Sequence, residues 1–119
     1  MKKEILVVDD QPGIRLLLQE IFTNQGYRVT TAKTGKEALD ELNKSSYDLI
    51  MLDYKLPVVD GVEVIQQLER DKIEVPAILM SGLAEDIMKE SQNYDMVKKV
   101  LAKPFNVKDV CDYTKSLIG

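Results

Sequence analysis

Short apolar runs alternate with amphipathic stretches five times along the chain. The runs are Ile5 to Val8, the weaker Tyr27 to Thr31, Leu49 to Leu52, Ala77 to Met80, and Val100 to Ala102. Runs that stay apolar at successive positions suit strands buried on both faces, as in a parallel sheet covered by helices. Between them the period lengthens. Ile14, Leu17, Leu18, Ile21 and Phe22 fall on one helical stripe, and Val107, Val110, Cys111, Thr114, Leu117 and Ile118 fall on another. Leu17 and Cys111 are expected in the core, while Ile14 and Leu18 could serve either the core or a partner.

The helix starts are legible as well. Pro12 suits a first turn, where its missing N–H costs nothing. Thr34 with Glu37, Asp60 with Glu63, and Asn106 with Asp109 each set a capping side chain three residues ahead of an acidic one. A further helix is expected over Ala84 to Asn93, on a thin apolar stripe. The outcome is an α/β fold of (βα)5 type: a doubly wound, five-stranded parallel sheet of order 2-1-3-4-5, the flavodoxin-like arrangement. Ligands of such sheets sit beyond the carboxyl ends of the strands, at the switch point between strands 1 and 3. No linker or long repeat interrupts the pattern, so one domain over residues 1–119 is expected, with no output domain.

Composition narrows the function. A length of 119 residues suits one domain with a real core. Sixteen basic against twenty acidic residues give a formal charge of −4, which does not suit a protein that grips nucleic acid. No apolar run approaches the ~20 residues of a membrane span. The one cysteine, Cys111, cannot form an internal disulfide, and a cytoplasmic setting is expected. Histidine is absent, so a metal must be held by oxygen, favouring Mg²⁺ or, as an alternative, Mn²⁺ or Ca²⁺ over zinc.

Chemistry gathers at the strand ends. The first run ends in Asp9-Asp10, the third in Asp53, the fourth in Ser81-Gly82 and the fifth in Lys103-Pro104. In a parallel sheet these ends share one edge, so three carboxylates, a hydroxyl and an ammonium converge. Each alone has a plain structural explanation: a helix cap, a turn aspartate, Ser-Gly punctuation, a surface lysine. Together they form a site. Three carboxylates repel one another unless a cation joins them, and Mg²⁺ accepts a few carboxylates with water and a phosphate. A carboxylate can then act as nucleophile toward phosphorus, with charge stabilisation from the metal and Lys103 and a hydrogen bond from Ser81.

Val7-Val8-Asp9-Asp10, Leu52-Asp53, Pro57 to Gly61, Met80-Ser81-Gly82 and Lys103-Pro104-Phe105 resemble the motifs of two-component response-regulator receiver domains, over essentially the whole chain. The resemblance implies that Asp53 is the phosphoacceptor, Asp10 a direct magnesium ligand and Asp9 an assisting one. It further implies that the Lys55 carbonyl completes the metal site and that Ser81 and Lys103 contact the phosphoryl oxygens. A cis Lys103–Pro104 bond is expected. Asp10-Gln11-Pro12-Gly13-Ile14-Arg15, Leu17-Leu18 and Lys55 look more narrowly like the single-domain phosphorelay carriers of the family, including those that control sporulation. Such a carrier takes its phosphoryl group from a sensor histidine kinase and passes it to a histidine phosphotransferase. A dedicated phosphatase is a further expected type of partner, and the carrier itself is expected to be a monomer. The partner-facing set implied is Gln11, Gly13, Ile14, Leu18, Lys55, Pro104 and Phe105.

Two departures bear on output. Val100 stands where relatives that signal by changing shape carry Tyr or Phe, and Ser81 where most have Thr. Val100 favours a transferable phosphoryl group as the product over a reshaped surface. The alternatives are a chemotaxis-type receiver that binds a target protein and, less well supported, a magnesium-dependent phosphohydrolase. Phosphohydrolases of that type carry a second Asp where this chain has Lys55, whose long side chain could instead hinder hydrolytic water.

Overall fold

The computed structural model describes residues 2–82, 89 and 91–119. Five strands, β1 (Glu4–Val8), β2 (Arg28–Ala32), β3 (Leu49–Asp53), β4 (Ala77–Ser81) and β5 (Val97–Ala102), form one sheet of order β2-β1-β3-β4-β5. All neighbours run parallel. Four helices are present among the described residues: α1 (Pro12–Asn24), α2 (Gly35–Lys44), α3 (Gly61–Arg70) and α4 (Val107–Ile118). The helix expected over 84–93 falls largely outside the described residues; Lys89 and Ser91 within it are helical. No described helix is long and apolar enough to cross a membrane.

Strand alternation divides the interior in two. Leu6, Val8, Ile50, Leu52, Ala77 and Leu79 pack with Ala38, Leu42, Val64, Ile65 and Leu68 of α2 and α3. Ile5, Val7, Leu49, Met51, Ile78 and Met80 pack with Leu18, Ile21 and Phe22 of α1 and with Val110 of α4. Every residue of β3 and β4 is buried, as continuous apolar runs require of central strands. Each fully buried Leu or Ile in these layers contributes about 2 kcal/mol relative to exposure.

The three expected caps all form. The side chains of Thr34, Asp60 and Asn106 accept from the backbone N–H of Glu37, Glu63 and Asp109 at 3.1, 3.0 and 2.7 Å. Helix α1 differs. Pro12 opens it as expected, but its N-cap is Gln11, which makes no side-chain cap bond. Asp9 reaches over instead, its Oδ1 accepting from the Gln11 N–H at 2.9 Å.

Several expectations need correction. Leu17, expected in the core, is 40% exposed, whereas Leu18, expected to face a partner, is fully buried. The α1 stripe is centred near Leu18 and Phe22, and Leu17 lies about a quarter turn off that centre, at its margin. Val107 is exposed because it sits at the first turn of α4, ahead of the point where the helix meets the sheet. Cys111 is half-buried against the α1–α4 core. Strand β5 is longer than expected: Val97 and Lys99 pair with β4 on either side of a bulge at Lys98, although the side chains of both lysines face water.

Candidate functional site

The register of the sheet builds the site. Val8 of β1 pairs with Leu52 of β3, so the next residues along, Asp9 and Asp53, stand side by side at the carboxyl edge. Asp9 continues the phase of Ile5 and Val7, and Asp53 that of Leu49 and Met51, so both side chains emerge on the α1–α4 face. On β5, Lys103 continues the phase of Leu101 and emerges there too. Ser81 ends β4, and its carbonyl accepts the Lys103 N–H at 2.9 Å, which ties the two strand ends together. The Lys103–Pro104 peptide is cis, as expected.

The carboxylates of Asp9, Asp10 and Asp53 each offer an oxygen within 4.8 Å of the others. Asp9 is fully buried and Asp53 is 6% exposed, while Asp10 faces solvent. The Lys103 Nζ donates to Asp9 Oδ2 at 2.8 Å and lies 3.4 Å from Asp53 Oδ1. The donor set tests well against a hard divalent cation: three carboxylates, one open to water, and no nitrogen or sulfur ligand. Mg²⁺ holds direct ligands at about 2.1 Å, and the spread of these oxygens leaves part of its shell to water.

Arg15 is a site residue that sequence reasoning missed. Its Nη1 donates to the Asp9 carbonyl at 2.8 Å, fixing the backbone at the end of β1. The only signal was a cation on the first turn of α1, which is common. Lys55 is exposed, and its backbone N–H reaches the Asp53 carboxylate. Of the implied partner-facing residues, Gln11, Gly13, Lys55 and Pro104 are exposed, Ile14 and Phe105 are half-buried, and Leu18 is inaccessible.

Burial raises the pKa of Asp53 above its ordinary 3.8, and the charge of Asp9 pushes it further. The charge and hydrogen bond of Lys103 and the Lys55 N–H pull the other way without cancelling the rise. For Lys103, burial pulls the pKa down, but the Asp9 hydrogen bond and the charges of Asp53 and Asp9 outweigh it and leave the amine above 10.5. Lys103 is therefore a permanent cation at neutral pH. Its stabilising contribution is complete below the ordinary lysine value and lost as pH rises through the folded one.

A carboxyl whose pKa is higher folded than unfolded binds its proton more tightly in the folded state. Stability then falls as pH rises from about 4 through the folded-state pKa, and the loss persists at neutral pH. Asp53→Asn removes that cost. The metal-free variant is expected to be more stable than wild type at pH 7, the gap closing toward pH 4. Thermal unfolding in a chelator at the two pH values checks this. A variant less stable than wild type at pH 7, or a gap indifferent to pH, would contradict it.

A model of the response regulator receiver domain matches residues 5–115. The chain belongs to that family. It is 36% identical over 119 residues to sporulation initiation phosphotransferase F of Bacillus subtilis, covering 99% of this chain and 95% of that one. The alkaline phosphatase synthesis transcriptional regulatory protein PhoP of the same organism is also 36% identical over 99% of the chain, which spans about half (49%) of that protein's length. Among solved structures, response regulator protein TrrA of Thermotoga maritima, in complex with Mg²⁺ and BeF, is 34% identical with a TM-score of 0.86. That match covers 97% of this chain and 98% of the other. Chemotaxis response regulator CheY4 of Vibrio cholerae is 25% identical with a TM-score of 0.90, over 98% and 99% of the two chains.

Proposed function

We propose that this chain is a phosphorelay carrier: Asp53 accepts a phosphoryl group from a sensor histidine kinase and yields it to a histidine phosphotransferase, in a relay that controls sporulation. The carrying observation is the Asp9–Asp10–Asp53 cluster with the Lys103 Nζ at 2.8 and 3.4 Å from two of its members. A carboxylate oxygen of Asp53 attacks phosphorus, the bond to the donor imidazole nitrogen breaks, and that nitrogen keeps the electron pair and takes a proton from solvent. Lys103 holds a positive charge beside the transferred group, and the Ser81 hydroxyl donates to one of its oxygens. Asp9 and Arg15 keep the end of β1 in place.

Asp10, Asp53 and the Lys55 carbonyl would hold Mg²⁺, with Asp9 assisting; nothing in this all-oxygen set selects Mn²⁺. When bound, the ion neutralises charge on the phosphoryl oxygens. The relative solved with Mg²⁺ and BeF supports that assignment. The match to sporulation initiation phosphotransferase F along nearly its full length supports the relay and the sporulation role. Val100, half-buried against the core and lacking a ring, favours transfer over shape change as the output.

The test has two stages. Intact mass after acetyl phosphate and Mg²⁺ is expected to show one added phosphoryl group on wild type and none on Asp53→Asn. The phosphorylated protein, mixed with histidine phosphotransferases of the source organism, is then expected to lose the group to one of them, and a kinase fragment from the same organism to reload it. Uptake without transfer to any histidine would favour the chemotaxis-type reading. Uptake by Asp53→Asn equal to wild type would remove Asp53 from the mechanism.

A further inference from the structure

The loop that leaves Asp53 is fixed at both ends and strained at its tip. At its end, the Gly61 N–H donates to the Tyr54 carbonyl at 2.7 Å. Val59 packs against the α2–α3 core, and its carbonyl stands 2.6 Å from where a Cβ on Gly35 would be. Between these anchors, Val58 has φ 67° and is 98% exposed. The Val59 N–H donates to the Pro57 carbonyl at 2.7 Å, closing a γ-turn around Val58 in its rarer, strained hand.

A β-branched side chain is among the least suited to that backbone, where Gly or Asn would sit with less strain. Val58 gains nothing in return within the free protein, because its isopropyl group lies in water. Strain of this kind at a reactive edge points to a use outside the folded chain. The position says which use. Val58 lies five residues past Asp53, in the loop that leaves the carboxyl end of β3 at the edge where the acid cluster stands. Leu17 and Val107, 40% and 53% exposed, follow the other strand ends that carry Asp10 and Lys103. A small phosphoryl donor has no need of these groups; a protein surface does.

We infer that Val58 is a specificity-determining contact for the histidine-bearing protein that exchanges a phosphoryl group with Asp53, inserting into an apolar socket beside that histidine. The inference rests on the relay reading and adds to it a residue that acts on the partner and not on the chemistry. Phosphoryl uptake from acetyl phosphate is the control, because it shares the Asp53 chemistry and lacks the partner.

The experiment compares wild type with Val58→Asn and Val58→Gly. It measures uptake from acetyl phosphate, the concentration dependence of transfer from the phosphorylated kinase fragment that reloads wild type, and Tm. Both variants are expected to take up acetyl phosphate at the wild-type rate. The carrier concentration for half-maximal transfer is expected to rise about tenfold, as loss of one buried aliphatic group entails, at an unchanged maximal rate. Val58→Asn is expected to have a higher Tm than wild type.

Unchanged transfer in both variants overturns the inference. A parallel loss with acetyl phosphate also does, since Val58 would then act by positioning Asp53. So does a lower Tm for Val58→Asn, or a change in self-association seen by sedimentation, which would assign the side chain to this molecule or to a second copy. If wild type accepts from acetyl phosphate but from no histidine protein, the relay reading itself fails, and this inference falls with it on wild-type data alone.

Discussion

Lys103→Met is expected to destabilise the metal-free protein by about 3 kcal/mol and to slow phosphoryl uptake on the order of 100-fold. The amine is the counter-ion of Asp9, which is fully buried and 2.8 Å away, and it lies 3.4 Å from Asp53. Without it, Asp9 keeps the Gln11 N–H but loses its cation, and two carboxylates on adjacent strands face each other uncompensated. Removing one partner of a buried pair costs far more than the pair itself contributes. Mg²⁺ is expected to recover part of the stability, because a bound cation substitutes for the missing charge, and none of the lost rate attributable to the amine. Lys103→Arg is expected to rescue stability better than rate, since a planar fork does not place its charge where an ammonium does. Urea unfolding with and without Mg²⁺, beside timed intact-mass measurements, checks both. A stability loss below 1 kcal/mol with wild-type uptake would show that Lys103 is a bystander. The contrast with Asp53→Asn is itself informative: deleting an anion here relieves the fold and deleting the cation strains it.

Gly61→Ala is expected to cost more than 2 kcal/mol and to impair phosphoryl uptake, although residue 61 carries no chemistry. A Cβ there would stand 2.6 Å from the Asp53 carbonyl and 2.9 Å from the Tyr54 Cα. Both are backbone, so relief requires β3 or the start of α3 to move, and Asp53 moves with them. Gly13→Ala is the matched control. It lies in the first turn of α1 with nothing within 4 Å of an added Cβ, so the change is expected to be neutral or to add up to about 1 kcal/mol. Chemical denaturation of the two variants gives the comparison. Equal stability of Gly61→Ala and wild type would mean that the loop yields where the close contact says it does not.

Strand order, helix caps and the convergence at the sheet edge were legible because each depends on local pattern. Four apolar runs were stopped by polar residues at the positions where Asp9, Asp53, Ser81 and Lys103 stand, and a parallel sheet needs no further information to bring them to one edge. Leu17 and Leu18 were not separable, because both belong to a 3.6-residue stripe and only the seat of α1 on the sheet decides which one is covered. The extension of β5 through Lys98 and Lys99 was hidden because an edge strand can keep its place in the sheet, with Lys99 paired and Lys98 bulged, while its side chains look like a loop's. Arg15 was hidden because its acceptor is a backbone carbonyl, which has no signature in sequence. Val58 was passed over inside the run Pro57 to Gly61, since its meaning lies in a torsion angle.

Gly35 and Gly61 have a consequence for how such a protein diversifies. Each lets a backbone carbonyl, that of Val59 or Asp53, press against a neighbouring element with no side chain between. The loop is thereby bolted at its foot while its crest is left free. Exchanges at the crest can alter which protein is greeted without retuning the acid cluster beneath. Changes at the two bolts would disturb every partner at once. A lineage that multiplies its signalling routes by copying one gene therefore has a protected place to vary and a place where variation is penalised, separated by two residues of chain.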